Sequence, residues 1–258
     1  MSRFPSSRAV HGLLGAALAL CSNLPEARAA FSQLPDPVIE DLVDEVERTD
    51  VATHSRQRLL SSLAQDSRAA VRARVAEAAG RLWQEDVVFG STLLARLAQD
   101  PTTSVGAAAA RGLARLLAGT RDPLRASIES SWIAAHSAQQ RFTLAVAVGL
   151  APPHFLTDLV LQELADDADA AVRWAALRAA EALLDADPPG YTRLALCHVA
   201  DANRDVRAAA RGVLRQAARR GWAVADRPKP HTQRAARQRF RHALRSSSPE
   251  LRVSRRAS

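Results

Sequence analysis

One ten-residue pattern returns four times along this chain, and its spacing constrains the fold more than any other feature. The copies run from Leu63 to Arg72 (LAQDSRAAVR), Leu97 to Gly106 (LAQDPTTSVG), Leu164 to Arg173 (LADDADAAVR) and His198 to Arg207 (HVADANRDVR). In each, an aspartate precedes a valine by five residues: Asp66 and Val71, Asp100 and Val105, Asp167 and Val172, Asp201 and Val206. Val71 to Val105 and Val172 to Val206 each span 34 residues, whereas Val105 to Val172 spans 67, close to twice the period. One degenerate unit is therefore expected between them. The stretch from Trp132 to Leu150, with Phe142 near the valine position, is expected to supply it. Five units is the economical count. Repeats of this length cannot bury their apolar faces alone, so each must pack against its neighbours.

Every unit reads as two helices. A leucine-rich helix ends at the aspartate, and an alanine-rich helix begins near the Val-Arg. Val172, Ala175, Ala176, Ala179 and Leu183 form one apolar stripe at helical spacing. Pro152-Pro153 and Pro188-Pro189 punctuate the joints, where proline ends one helix and sets the start of the next. Composition agrees: Ala, Leu and Arg dominate, aromatics make up 4%, and 47% of residues are hydrophobic. Such residues lose little on entering a helix, and that apolar content suffices for a core.

The aspartate is expected to accept hydrogen bonds from free N–H groups at the start of the second helix. The arginine one residue after the valine is placed to reach the aspartate loop of a neighbouring unit. Asp66 and Arg72, Asp167 and Arg173, and Asp201 and Arg207 share a spacing of six. This pattern resembles the HEAT-repeat family, in particular the short HEAT-like repeats of the phycobilisome-lyase type. The resemblance covers roughly residues 55–221 and implies an all-α solenoid in which Asp66, Arg72, Asp100, Asp167, Arg173, Asp201 and Arg207 form a ladder. Gly106 stands where the second unit should carry its arginine, and the third unit is read as lacking both ladder residues. The ladder is expected to break mid-array, with a change of curvature there. Tetratricopeptide repeats share the period, but their aromatic signature is missing.

The charge of +8 is unevenly placed. From Arg211 onward there are 14 basic against two acidic residues, a net of +12, so the preceding residues carry a net of −4. The sequence divides into a segment at 1–29, an N-terminal capping helix at 30–54, the repeats at 55–222, and a basic tail at 223–258. The first segment has Arg3 and Arg8, an apolar run from Leu13 to Leu20, and Ala27 and Ala29 at signal-peptidase spacing. That is the pattern of a cleavable export signal, implying a periplasmic or secreted protein. A lipoprotein signal acylated at Cys21 is the competing reading, although Leu20 departs from the small residue expected before that cysteine. A cytoplasmic protein with a buried N-terminal helix is the third. The tail carries Arg234, Arg237, Arg239, Phe240, Arg241 and Arg245 in a basic amphipathic pattern suited to an anionic membrane or polymer surface, or to a solvated extension with no ligand.

HEAT arrays bind partners along the face lined by their second helices. Here that face carries Arg74, Glu77, Arg81, Arg111, Arg115, Trp174, Arg178, Arg211 and Arg215, read either as a basic stripe for an acidic partner or as a solvated surface. Trp83, Trp132, Trp174 and Trp222 are too scattered for a stacking platform. Trp174, beside Arg173, is the best of them for binding. The His-Glu pairs of iron-binding HEAT-like hydroxylases do not occur, and Cys197 is expected to be a buried small hydrophobe. No catalytic, cofactor or metal site is expected. The leading expectation is a non-catalytic scaffold that binds another protein. The alternatives are a nucleic-acid-binding HEAT-like protein, were the chain cytoplasmic, and a lyase or lyase chaperone.

Overall fold

The computed structural model describes residues 30–31, 33–48, 52–82 and 86–222. The signal residues Ala27 and Ala29, Cys21, Trp83 and the tail residues Arg234 to Arg245 lie outside them. The described residues form eleven helices: α1 (Asp36–Arg48), α2 (Thr53–Leu63), α3 (Ala69–Ala79), α4 (Val87–Leu97), α5 (Thr103–Gly119), α6 (Asp122–Ile133), α7 (Ala138–Leu150), α8 (Thr157–Ala165), α9 (Ala170–Ala182), α10 (Pro188–His198) and α11 (Arg204–Arg219). No described helix is long and apolar enough to cross a membrane.

The chain divides into two compact units, the first ending at Gly119 and the second beginning at Thr120. The first holds α1 and the helix pairs α2–α3 and α4–α5. The second holds α6–α7, α8–α9 and α10–α11. Five pairs match the repeat count, and α1 adds a single helix packed against α3.

Within each unit the second helices of successive pairs lie side by side, α1 on α3 on α5, and α7 on α9 on α11. Alanine is the commonest residue at the buried positions on these helices. Four sequence-equivalent pairs, Ala76 and Ala79, Ala110 and Leu113, Ala145 and Val148, Leu177 and Ala180, are buried in α3, α5, α7 and α9. The closest approach is in the first unit. A Cβ on Gly112 would stand 2.3 Å from the Ala76 carbonyl oxygen, and one on Gly80 would stand 2.4 Å from that of Gly112. Backbone touches backbone there, which only glycine allows. Gly221, at φ 73°, ends α11 in the left-handed conformation that glycine adopts without penalty.

The joint before α8 contains charge that the repeat pattern did not signal. Arg125 and Glu129 on α6 are buried, with Arg125 Nε 3.1 Å from Glu129 Oε1. Arg125 Nη1 donates to the Pro152 carbonyl at 3.0 Å, and His154 Nε2 lies 3.2 Å from Glu129 Oε2. The His154 amide donates to Thr157 Oγ1 at 2.8 Å, at the first residue of α8. The buried pair thus anchors the proline joint that aims α8.

Candidate partner-binding face

The second helices are set in place by arginine–aspartate rungs. Arg72 grips Asp100 with Nε at 2.6 Å and Nη2 at 3.0 Å, while Nη1 donates to the carbonyls of Asp66 at 2.7 Å and Ser67 at 2.9 Å. Arg173 repeats this with Asp201, both contacts at 2.9 Å, and with the carbonyls of Asp167 and Ala168. One guanidinium therefore ties its own interhelical loop to the loop of the next pair. The bidentate geometry makes each rung a strong charge-assisted contact.

The expectation that the third pair lacks both ladder residues is corrected by Arg141. Its Nε and Nη2 hold Asp167 at 2.5 and 3.0 Å, and its Nη1 donates to the carbonyls of Ala135 and His136 at 2.7 and 3.1 Å. Gln140, not Phe142, therefore occupies the valine position, and the unit spacings are 35 and 32. Only the aspartate is missing from this pair, replaced by Ala135. At the other end, Arg68 was overlooked. It lies two residues after Asp66, pairs with both carboxylate oxygens at 2.8 Å, and donates to the carbonyls of Phe31 and Leu34.

The role expected of the ladder aspartates also needs correction. They do not cap the second helices. Each accepts from the amide two residues on: Arg68 for Asp66 at 2.9 Å, Thr102 for Asp100 at 2.9 Å, Asp169 for Asp167 at 2.8 Å, Asn203 for Asp201 at 2.8 Å. The caps belong to other residues, Asp169 for α9, Asn203 for α11 and Ser137 for α7. The carboxylates of Asp66, Asp100 and Asp201 are held below the usual aspartate range chiefly by hydrogen bonds from Arg68, Arg72 and Arg173 respectively. For Asp167 burial acts to raise the value, but the Arg141 contacts and the Asp169 amide outweigh it. His198 titrates below its ordinary value because burial penalises its charged form, against the pull of Asp201.

On the face of the second helices the two units differ. In the first, the expected basic stripe is closed upon itself. Arg74 pairs with Asp44 of α1 and, at 3.0 Å, with Glu77, which Arg111 of α5 meets at 3.3 Å. Arg81 and Arg115 are exposed beside this chain of charges. In the second unit, Phe142 and Trp174 occupy equivalent positions, two residues after the key residue of their helices. Their rings stack with centroids 6.5 Å apart and planes 5° from parallel. The next equivalent position is Ala208, and Gly212 follows one turn on.

Where the aromatic row stops, an open groove of about 690 Å³ begins between α9 and α11. Alanines, among them Ala170, Ala171, Ala208 and Ala209, together with Gly212, line its floor, and Trp174 forms a wall. Arg178, Glu181, Asp205 and Arg215 stand at its rim, with Arg178 paired to Glu181. Of the residues read as a partner surface, the groove brings together Trp174, Arg178 and Arg215. Arg211 is exposed on α11 but does not line it. Trp132 is buried in the core, and Trp222 lies under the Arg220 guanidinium at 5.1 Å. Cys197 is half-buried, not the fully buried hydrophobe expected, because its place on α10 leaves one side open; its thiol donates to the Arg193 carbonyl at 3.3 Å.

No family model matches this chain, and no curated protein matches it. Among solved structures, it is similar to an engineered protein at 18% identity and TM-score 0.42, covering 81% of this chain and 98% of that one. The HEAT-like repeats protein of the archaeon Thermococcus onnurineus NA1 matches at 13% identity and TM-score 0.41, covering 95% and 99%. A designed armadillo repeat protein, solved with the peptide (KR)4, matches at 14% identity and TM-score 0.37, covering 82% and 94%. The fold assignment rests on the chain's own geometry: helix pairs joined by Asp–Arg rungs, as the HEAT-like resemblance implies.

Proposed function

We propose that this protein is a non-catalytic scaffold that binds another protein through the groove between α9 and α11. The observation that carries this reading is the interrupted aromatic row. Trp174 is 37% exposed, stacked on Phe142, and overlooks a floor of alanine and glycine. A rigid, part-exposed tryptophan beside a shallow apolar floor has the chemistry of a binding hot spot. The rim's two arginines and two acids give it no net charge, which suits a mixed protein surface better than a polyanion. In the first unit Arg74 and Arg111 are engaged by Asp44 and Glu77, which weakens a continuous basic track for nucleic acid.

Export to the cell envelope belongs to the same proposal. It is supported by the charged start, short apolar run and Ala27–Ala29 spacing of the first residues. The basic tail then assists by contacting anionic lipid or polymer.

The test compares proteins captured from an envelope extract by the immobilised wild type and by Trp174→Ala. The expected result is a partner depleted about tenfold on the variant, the scale of losing one aromatic anchor. An unchanged set of captured proteins contradicts the reading. Mass spectrometry of the mature N-terminus checks export, with cleavage after Ala29 expected.

A further inference from the structure

Among the described residues α11 is the last helix, and one half of a rung is free on it. Arg207 is held as its counterparts are, with Nη1 donating to the carbonyls six and five residues before it, Asp201 at 2.6 Å and Ala202 at 2.9 Å. Arg72, Arg141 and Arg173 make the same two carbonyl contacts and turn Nε and Nη2 onto an aspartate of the following pair. Among the described residues, Arg207 has no carboxylate on that edge. Its fork is thus oriented by the backbone, and a guanidinium so held loses little freedom on taking a carboxylate.

The surface around it has also changed chemistry. At the position of Ala76, Ala110, Ala145 and Leu177, all buried, α11 carries the exposed Arg211. Leu214, equivalent to the buried Ala180, is only half-buried. Helical spacing puts Arg204, Arg207 and Arg211 on one side of α11, with Arg215 at its margin. Arg204, Arg211 and Arg215 are exposed and have no ion-pair partner among the described residues. A further unit stacking in register with an alanine or leucine opposite Arg211, as the other units carry there, would bury that charge unpaired, so a plain continuation of the repeat does not fit this face. The tail after Trp222 is a poor occupant too, since between residues 223 and 258 it offers only Asp226 and Glu250 among ten basic residues.

We propose that the end face of α11 is a docking site for an acidic segment of a partner protein, with one aspartate or glutamate side chain seated on the Arg207 fork and neighbouring acids facing Arg204 and Arg211. The site meets the groove only at Arg215, and Arg204, Arg207 and Arg211 do not line the groove, so it stands or falls independently of the groove reading.

The test uses the full-length chain and a short capped peptide of alternating aspartate and alanine. Arg207→Lys keeps the charge and removes the two-pronged donor, so attraction of the peptide to the basic tail is the same in both proteins. The expected result is a shift of the Arg207 Nε–H resonance on adding peptide and about tenfold weaker binding to Arg207→Lys, the scale of one bidentate charge-assisted contact. Trp174→Ala should bind this peptide as the wild type does. Equal affinity of wild type and Arg207→Lys would overturn the proposal. So would a shift of the Arg207 resonance by a single-stranded oligonucleotide but not by the peptide, which would make phosphate the ligand. A melting temperature lowered as far by Arg207→Lys as by Arg173→Lys would place a carboxylate of the chain itself on the fork, and that too would overturn it.

Discussion

The two compact units use the same rungs to position their second helices and then treat the exposed face of those helices in opposite ways. In the first unit Arg74, Glu77 and Arg111 neutralise one another along the face, with Asp44 joining from α1. In the second unit the face of its own second helices carries Phe142 and Trp174, then the small residues Ala208 and Gly212. The difference shows which positions of the repeat hold the fold and which are free to vary. Rung residues contact fixed partners one pair away, whereas residues two and six places after the valine meet their equivalents, a near neighbour on the face such as Arg74 or Glu181, or solvent. Function is therefore to be sought in the second set, where the two units diverge.

The largest effect is expected at the buried charges of the second unit. Glu129→Ala should cost the second unit about 3–5 kcal/mol, because Arg125 would stay buried without its carboxylate. Urea unfolding measures the loss, and hydrogen exchange should place it in α6 to α8, with protection of α3 and α5 retained. Next come the rungs, common to both units. Arg72→Ala and Arg141→Ala should each cost about 1.5–3 kcal/mol, since each leaves a largely buried aspartate without its charged donor. Equal losses would confirm that Arg141 is a full ladder member despite Gln140 at the valine position. A loss near zero for Arg141→Ala would restore the reading of a degenerate third pair.

Acid should act on the rungs of both units alike. The folded pKa values of Asp66, Asp100, Asp167 and Asp201 lie below the ordinary 3.8. Their contribution is therefore fully present above pH 3.8 and lost as the pH falls through the lower folded values. A stability–pH profile should show that decline, and Asp100→Asn or Asp201→Asn should each flatten it, one rung per unit. The smallest effect belongs to the exposed faces. Glu77→Ala should change stability by less than about 1 kcal/mol, because its partners are partly solvated.

Much of the fold was legible because a rung demands two particular residue types at a fixed separation. Asp66, Asp100, Asp167, Asp201, Arg72 and Arg173 stand out on that ground alone. Arg141 was hidden by using an apolar residue as the register mark. Phe142 is the nearest large hydrophobe, yet it faces outward to stack on Trp174. Counting from the arginine instead would have found it. Arg125 and Glu129 read as an ordinary i, i+4 pair on a helix surface, and only the return of the chain at Pro152 and His154 buries them. The groove was the least visible feature. Trp174 could be singled out, but the space beside it depends on Ala208 and Gly212, small residues of another helix that carry no signal by themselves.

The most direct test of the groove compares the same repeat position in both units. Ala107 on α5 and Ala208 on α11 each lie two residues after the key valine, and both are exposed. A photo-crosslinking amino acid placed singly at either position, in the full-length chain within its own cells, reports which face meets a partner. A discrete cross-linked protein is expected from position 208 and none from position 107. Cross-linking from position 107 alone, or the same product from both, would contradict the groove reading.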